Sequence, residues 1–465
     1  MTLRTNGARP KGVIRNPGRG QPPLGVLLDG EPTTFEPVEP AVIKVGLLGC
    51  GNVGGALVEL IDEQRDAIAD RTGLRLELAR VAVRNTAKQR AVDLGADVLT
   101  NDAASVVEDP SVDLVVELIG GIEPARELIL TALQNGKAVV TGNKELLANV
   151  GTELFEAAEK AGVDLLFEAA VAGGIPLIRP LRESLAGDRL QRILGIVNGT
   201  TNFILTRMTE EGSTFHEALA EAQDLGYAER DPTADVEGFD AAAKAAIIAT
   251  VAFGVRVVAG DVYREGISGL PAADIAFAGR LGYVVKLLAI AEADESGVAV
   301  RVHPALVPID HPLAAVRESY NAVFIEAAAV GDLMLYGRGA GGRPTASAVL
   351  GDVIDAAANR RRGTHSGIGV LGRASIRPIE ELSSEYYVAL EVVDRPGVLA
   401  EVAGVFGNHQ VSINKMEQEG IGKDARLIFI THTAVERDMQ ATLRELRDLN
   451  VVDRVGTLLR VVGRE

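Results

Sequence analysis

Between Ala222 and Lys244 the chain reads AQDLGYAERDPTADVEGFDAAAK, and five carboxylates follow the Gly226-Tyr227 turn before a single lysine. Asp240 and Lys244 stand four apart, so on a helix they share a face. The residues around the lysine, AAAKAAIIA, make that face largely apolar. An ammonium group in apolar surroundings loses hydration, which lowers its pKa, and a neighbouring carboxylate opposes the shift. A lysine balanced in this way suits proton donation to a carbonyl oxygen that is receiving hydride. The other reading is a surface ion pair worth roughly 0.3–0.5 kcal/mol, and the spacing alone leaves both open.

A second cluster suits a dinucleotide. Gly49-Cys50-Gly51-Asn52-Val53-Gly54 is a G-x-G-x-x-G run placed directly after a strand-like stretch, AVIKVGLLG, and directly before a helix-like one, Val53 to Ile68. Gly49 permits the tight turn, Gly51 lets backbone approach a pyrophosphate, and Gly54 permits close helix–strand packing. The helix N-terminus supplies unpaired N–H groups. A purely structural turn is the alternative. The next strand, LELARVAV, ends in Arg84-Asn85 with Lys88 nearby, and no acid is there to hold a ribose 2′-hydroxyl. Arg84 is therefore either a solvated surface residue or the partner of a 2′-phosphate, which favours NADP and leaves NAD possible.

These groups need a scaffold. Short apolar strands (VDLVVELIG, KAVVTG, VDLLFE) alternate with helical stretches up to about residue 170, which predicts right-handed βαβ units on a parallel sheet. Residues 171–345 form a second region, with strands at ILGIVNG, VAVRVHPALV and NAVFIEAAAVG, helices at Phe215–Leu225 and Asp240–Phe253, and a glycine-rich loop, GRGAGGRPTAS. A helix from Ser347 to Asn359 is expected to return to the first domain, so that 346–370 completes 41–170. Arg360 to Arg373 reads as a basic linker. Residues 386–465 follow a βαββαβ order, the ferredoxin-like pattern. Residues 1–40, rich in Pro, Gly and Arg, read as a disordered extension, with a partner-binding arm as the alternative.

Composition excludes several classes. A net charge of −17 repels nucleic acid and anionic membranes. No apolar run approaches the ~20 residues of a membrane span. The lone Cys50 cannot form an internal disulfide, which with the lack of an apolar leader fits the cytoplasm. Six scattered His residues show no metal-ligand spacing.

The pattern A-x3-G-Y-A-x2-D-P-x2-D-V-x-G-x-D-x3-K, filled at every position from Ala222 to Lys244, resembles the signature of homoserine dehydrogenases. The similarity extends to the glycine turn, to Thr141-Gly142-Asn143-Lys144, to Asn198-Gly199-Thr200-Thr201-Asn202-Phe203 and to the C-terminal region, nearly everything from residue 41 onward. It implies an α/β protein: a Rossmann dinucleotide-binding domain, an α+β substrate and dimerisation domain, and a C-terminal ferredoxin-like ACT domain. It also implies interconversion of aspartate semialdehyde and homoserine with a nicotinamide cofactor, in a homodimer or homotetramer.

By that resemblance Lys244 is the proton donor and acceptor, and Lys144 sits between cofactor and substrate, although a plain helix-start lysine is the other reading. Glu229, Asp240, Asp235 and Thr200 would bind substrate, with Glu229 close to the nicotinamide. For Asp231 and Asp235 a turn or capping role competes. Gly49, Gly51, Asn52, Val53, Gly54, Leu118, Ile119, Gly120, Gly226 and Gly341 would lie against the cofactor. Glu168, with the carbonyls of Val171, Gly173 and Ile175, resembles a monovalent-cation site for sodium or a similar ion; a tight turn with Glu168 paired to a base is the alternative. Asp394-Arg395-Pro396-Gly397-Val398-Leu399 is similar to the opening of an ACT domain, which implies threonine as an effector or else oligomerisation without ligand. Another NADP-linked oxidoreductase of a small amino-acid aldehyde, and a non-catalytic NADP and amino-acid sensor, are the competing functions.

Overall fold

The computed structural model describes residues 39–463 apart from 91, 96, 374 and 421–424. The extension expected at 1–40 therefore lies, but for its last two residues, outside the described residues.

Six strands form the first sheet: β1 (Ala41–Leu48), β2 (Leu74–Ala82), β3 (Leu99–Thr100), β4 (Leu114–Glu117), β5 (Ala138–Thr141) and β6 (Leu165–Leu166). Their order is β3-β2-β1-β4-β5-β6, all pairs parallel. This is the doubly wound arrangement, whose crevice lies at the carboxyl ends of β1 and β4, where the order reverses. β4 and β5 are buried on both faces, which is why they read as continuous apolar runs. Helix Gly342–Arg362 returns to this sheet and packs Ala346, Val349 and Val353 into the core that holds Val45, Leu47 and Val116.

Two boundaries differ from the sequence reading. The helix expected from Val53 to Ile68 hitches at Gln64 and becomes Asn52–Glu63 and Arg65–Thr72. Ile61 and Ile68 are both buried, so the apolar spacing runs through the hitch and hides it. The helix expected at Ser347–Asn359 is longer, Gly342–Arg362, and takes the first arginines of the basic stretch into its last turn, where they complement the helix dipole.

The second sheet contains β7 (Leu190–Ile196), β8 (Tyr263–Arg264), β9 (Tyr283–Asp294), β10 (Gly297–Pro308), β11 (Tyr320–Ala327) and β12 (Gly331–Arg338). The C-terminal module adds β13 (Ser383–Val392), β14 (Ile413–Glu419), β15 (Arg426–Thr431), β16 (Ala434–Val435) and β17 (Val452–Val461) to the same sheet. The join is a short parallel pairing of β10 with β17, Ala305 opposite Arg460 and Leu306 opposite Val461. The basic stretch is pinned as well, because Gly372 bridges Val255 and Ile376 bridges Val298. Among the described residues no helix is long and apolar enough to cross a membrane.

Arg460 ties the two parts together. It is 2% exposed and makes a two-pronged ion pair with the equally buried Glu436 at the start of helix Glu436–Arg447, while Nη1 donates to Glu265 at 2.9 Å. The Tyr386 hydroxyl adds a third donor to Glu436 at 2.9 Å. Removing one partner of such a buried pair leaves an uncompensated charge, at a cost of about 3–5 kcal/mol. Arg460→Ala is expected to lower the thermal midpoint by several degrees, and a midpoint within one degree of the parent would show that the pair is dispensable.

Candidate active site

The glycine turn works as its spacing requires. Gly49 adopts φ +97°, and a Cβ there would lie 2.7 Å from the Leu118 carbonyl oxygen. A Cβ on Gly54 would lie 2.2 Å from the Gly49 carbonyl oxygen, so any other residue would push helix Asn52–Glu63 off β1. A Cβ on Gly51 would meet nothing within 4 Å: its open side faces the crevice, where backbone can approach a ligand. A cavity of about 400 Å³ opens there, lined by Gly49, Gly51, Val83, Ile119 and Gly120. Its far end carries Arg84, Lys88 and Arg90. Arg90 escaped the sequence reading; its guanidinium donates to the carbonyls of Asn85 (2.5 Å) and Lys88 (2.7 Å) and folds the basic loop back on itself. Cys50 is half-buried, and burial pushes its thiol up, as befits a filler.

Glu117, the last residue of β4, is fully buried. Its Oε1 accepts the N–H groups of Ile119 (2.8 Å) and Gly120 (3.1 Å), and its Oε2 accepts the Thr141 hydroxyl (2.6 Å). One carboxylate thus holds the Leu118–Gly120 turn beside the end of β5. Asn143 continues the link: Nδ2 donates to the Gly121 carbonyl at 2.7 Å, while Oδ1 caps helix Lys144–Ala161. The sequence signal was a lone acid ending the apolar run LVVE.

Lys144, the first residue of that helix, points to helix Phe239–Phe253 and forms an ion pair with Asp240 Oδ1. Asp240 Oδ2 accepts Lys244 Nζ at 2.7 Å, and the same ammonium donates to the Val197 carbonyl at 2.7 Å. Asp240 and Lys244 are each 8% exposed, so the i,i+4 pair is interior rather than a solvated surface bridge. Burial alone would raise the Asp240 carboxyl, but Lys244 and Lys144 together hold it well below the usual carboxylate range. Burial also lowers Lys244, helped by Lys144 and opposed by Asp240. Lys144 is half-exposed, and there the desolvation that would lower it is outweighed by Asp240 and Asp235, so it rises. Two lysines on one carboxylate are thus pushed in opposite directions.

The Asn198–Asn202 turn anchors the loops around this trio. Thr200 Oγ1 donates to the Tyr227 carbonyl at 2.7 Å and so holds the Gly226-Tyr227 turn, where Gly226 takes φ +76°. Asn202 Nδ2 donates to the Glu318 carbonyl at 2.8 Å. Asp235 accepts Asn198 Nδ2 at 2.7 Å, whereas Asp231 accepts the N–H and hydroxyl of Thr233 and has the turn role. Glu229 is exposed, and its carboxylate has no hydrogen bond or ion pair among the described residues. The glycine-rich loop ends at Gly341 (φ +116°), the N-cap of helix Gly342–Arg362; a Cβ on the next residue, Gly342, would lie 3.0 Å from the Asn52 carbonyl at the start of helix Asn52–Glu63.

Glu168 is buried, and its carboxylate accepts three backbone N–H groups, of Leu177 and Ile178 at Oε1 and of Arg179 at Oε2. The following loop turns through positive φ at Ala172 and Gly173 and packs on Gly339. Asp352, from helix Gly342–Arg362, accepts the Glu168 N–H at 2.8 Å and pairs with Arg179 at 3.0 Å. Burial, with the Glu168 carboxylate alongside, pushes Asp352 up to about 7.

A glycine-turn crevice at the head of a parallel sheet, tied through Glu117, Thr141 and Asn143 to the helix whose Lys144 shares Asp240 with a buried lysine, is the arrangement of a dinucleotide-dependent oxidoreductase. The family model described as "Homoserine dehydrogenase, NAD binding domain" matches residues 49–168, "Homoserine dehydrogenase" matches 176–354, and "ACT domain" matches 386–451. A homoserine dehydrogenase of Corynebacterium glutamicum is 49% identical over 427 residues, 90% of this chain and 96% of the relative. The crystal structure of a homoserine dehydrogenase from Thiobacillus denitrificans superposes with a TM-score of 0.87 at 42% identity, covering 91% of this chain and 98% of that one. A hyperthermophilic archaeal homoserine dehydrogenase in complex with NADPH gives 0.57 at 30% identity over 68% of this chain and 98% of that one. The chain belongs to the homoserine dehydrogenase family, whose members are NAD(P)-dependent oxidoreductases, and the non-catalytic sensor is set aside.

The raised Asp352 has a consequence for stability. Between its unfolded value near ~4 and about 7 the native state holds a proton that the unfolded chain has released, so this group's contribution falls as pH rises through that window. Asp352→Asn cannot titrate. Its thermal midpoint relative to the parent is expected to be more favourable at pH 8 than at pH 5, and a difference independent of pH would contradict the assignment.

Proposed function

We propose that the chain interconverts L-aspartate 4-semialdehyde and L-homoserine with NADP(H) in the cytoplasm, and that Lys244 carries the proton. The observation behind this reading is the buried Asp240 carboxylate shared by Lys244 and Lys144, the latter standing next to Asn143, which bonds the Gly121 end of the cofactor-side turn. The residues of the crevice fit a dinucleotide: Gly51 is open, the helix N-terminus is free of a side-chain cap, and Arg84, Lys88 and Arg90 suit a 2′-phosphate. When bound there, the dinucleotide supplies the hydride for aldehyde reduction and takes it back in alcohol oxidation.

Lys244, as the ammonium, gives its proton to the aldehyde oxygen as that oxygen gains negative charge; in the reverse direction the neutral amine removes the hydroxyl proton. The lowered pKa serves both directions by bringing the two protonation states closer in energy at neutral pH. Asp240 keeps the amine aimed, Lys144 lies against the substrate and the cofactor, and Asp235, Glu229 and Thr200 line the substrate's polar end. Glu229 is exposed, and no hydrogen bond or ion pair among the described residues ties up its carboxylate, which leaves it open to substrate.

Three further assignments belong to the same reading. A monovalent cation suits the loop after Glu168 through the carbonyls of Val171, Gly173 and Ile175; with three N–H groups already on the Glu168 carboxylate, that residue contributes charge and one remaining lone pair at Oε2. The protein acts as a homodimer or homotetramer. Threonine acts through the C-terminal module, and Arg460 offers the path: it pairs with Glu265, and Ile267 two residues on donates to the Val236 carbonyl at 2.8 Å, beside the helix that carries Asp240.

Lys244→Ala is expected to lower kcat for homoserine oxidation by about 10²–10⁴-fold with the NADPH dissociation constant within about threefold of the parent. Turnover at the parental rate would remove Lys244 from the chemistry. Arg84→Ala is expected to reduce the preference for NADP over NAD by about tenfold, the worth of one charge-assisted contact; an unchanged ratio would assign the 2′-phosphate elsewhere.

A further inference from the structure

Asn198 occupies a place that no other residue type fills. It is 5% exposed and stands where β7 gives way to helix Gly199–Glu210. Its Oδ1 accepts the Thr201 N–H at 2.9 Å and so caps that helix. Capping uses only the oxygen, and Asp, Ser or Thr would serve as well. The two hydrogens of its Nδ2 go elsewhere: one to Asp235 Oδ1 at 2.7 Å, the other to Asp240 Oδ2 at 2.9 Å. That second acceptor is the oxygen that receives Lys244 Nζ at 2.7 Å. The residue before it, Val197, supplies the carbonyl that takes the other hydrogen bond of the same ammonium.

We infer that Asn198 is a positioning residue for proton transfer, its side-chain amide holding Asp240 against Lys244 and keeping Asp235 in register with the pair. The inference rests on the reading of Lys244 as proton carrier and adds the group that aims it. The chemistry follows by elimination. Two carboxylates this close repel unless donors lie between them, and a neutral amide provides two donors in one plane without adding charge. An Asp at 198 would keep the cap but turn both donors into a third negative charge. A Ser or Thr would cap but could not span to both carboxylates. The charged groups facing Lys244 are Asp240 on its own helix, Lys144 on helix Lys144–Ala161 and Asp235 on helix Thr233–Val236, so a charge at 198 acts directly on this set.

The neighbours in the motif support a dedicated geometry. A Cβ on Gly199 would lie 2.6 Å from the Ser319 carbonyl oxygen, so that residue stays small and the helix start is wedged against the loop at 319. Thr201 Oγ1 returns a hydrogen bond to the Asn198 carbonyl at 3.1 Å. The Asn198 backbone is thus fixed from both sides, and only its amide faces the trio.

The test is the pH profile of homoserine oxidation by full-length Asn198→Asp with saturating NADP. The added negative charge stabilises the Lys244 ammonium, so the limb on which the amine deprotonates is expected to move to higher pH by about one unit or more, with kcat lower by at least tenfold below the limb; the third buried carboxylate also lowers the thermal midpoint, so the profile is read well below the variant's own midpoint. A limb at the parental position would overturn the inference and leave Asn198 a helix cap. If Asn198→Asp does not fold, Asn198→Ser decides: it keeps the cap without charge, and a tenfold or larger loss of kcat at a parental midpoint supports the role, whereas parental kcat overturns it. Lys244→Ala run alongside separates the two failures, because turnover surviving in that variant refutes the proton carrier itself, while its loss with an unshifted Asn198→Asp profile refutes only the positioning.

Discussion

Everything at this site depends on one buried carboxylate that two ammonium groups share. Without them burial would push the Asp240 carboxyl up, and without Asp240 the Lys244 ammonium would fall further below the ordinary lysine range. The second lysine, Lys144, makes the balance asymmetric. It draws on the same carboxylate from a half-exposed position, so it keeps its own proton firmly while weakening the hold of Asp240 on Lys244. A buried ion pair of this kind contributes little to stability, because desolvation offsets the attraction. Its value lies in a lysine that changes protonation state at moderate cost.

The fold brings the three groups together from distant parts of the chain. Lys144 comes from the end of β5, which Glu117 fastens to the cofactor-side turn; Asp240 and Lys244 come from a helix that packs against Lys144's own; and the exit of β7 supplies Val197 and Asn198. Lys144 and Asp240 sit in the first turns of their helices and Lys244 one turn further in, so the three side chains meet without disturbing the sheet. The C-terminal module is not hung on a loose tether, since β17 extends the sheet that starts with β12 and Arg460 is buried at the seam. The module is thus joined to the second sheet by backbone hydrogen bonds and one ion-pair network as well as by the connecting chain.

Much of this was legible in the sequence, for physical reasons that differ from place to place. The glycine turn was readable because its demands are steric and local: Gly54 has no room for a Cβ. The βαββαβ order was readable because turn residues such as Pro396-Gly397 separate its elements. β9 escaped because Tyr283–Asp294 is buried along most of its length, so it shows no alternation and reads equally as helix. Glu117 and Asn198 escaped as functional groups because each works through a contact far away in sequence: Glu117 meets Thr141 across 24 positions and Asn198 meets Asp240 across 42. The join between β10 and β17 was hidden likewise, since no local pattern encodes which sheet edge a late strand will meet.

The most direct measurement is an NMR titration of the lysine side chains in the full chain, labelled with nitrogen-15 and assigned by Lys244→Arg and Lys144→Arg. The account predicts that the Lys244 ammonium loses its proton below the ordinary lysine value of 10.5 and that Lys144 loses its proton above it. A Lys244 that titrates at or above the free value, or after Lys144, would contradict the claim that burial outweighs its carboxylate partner.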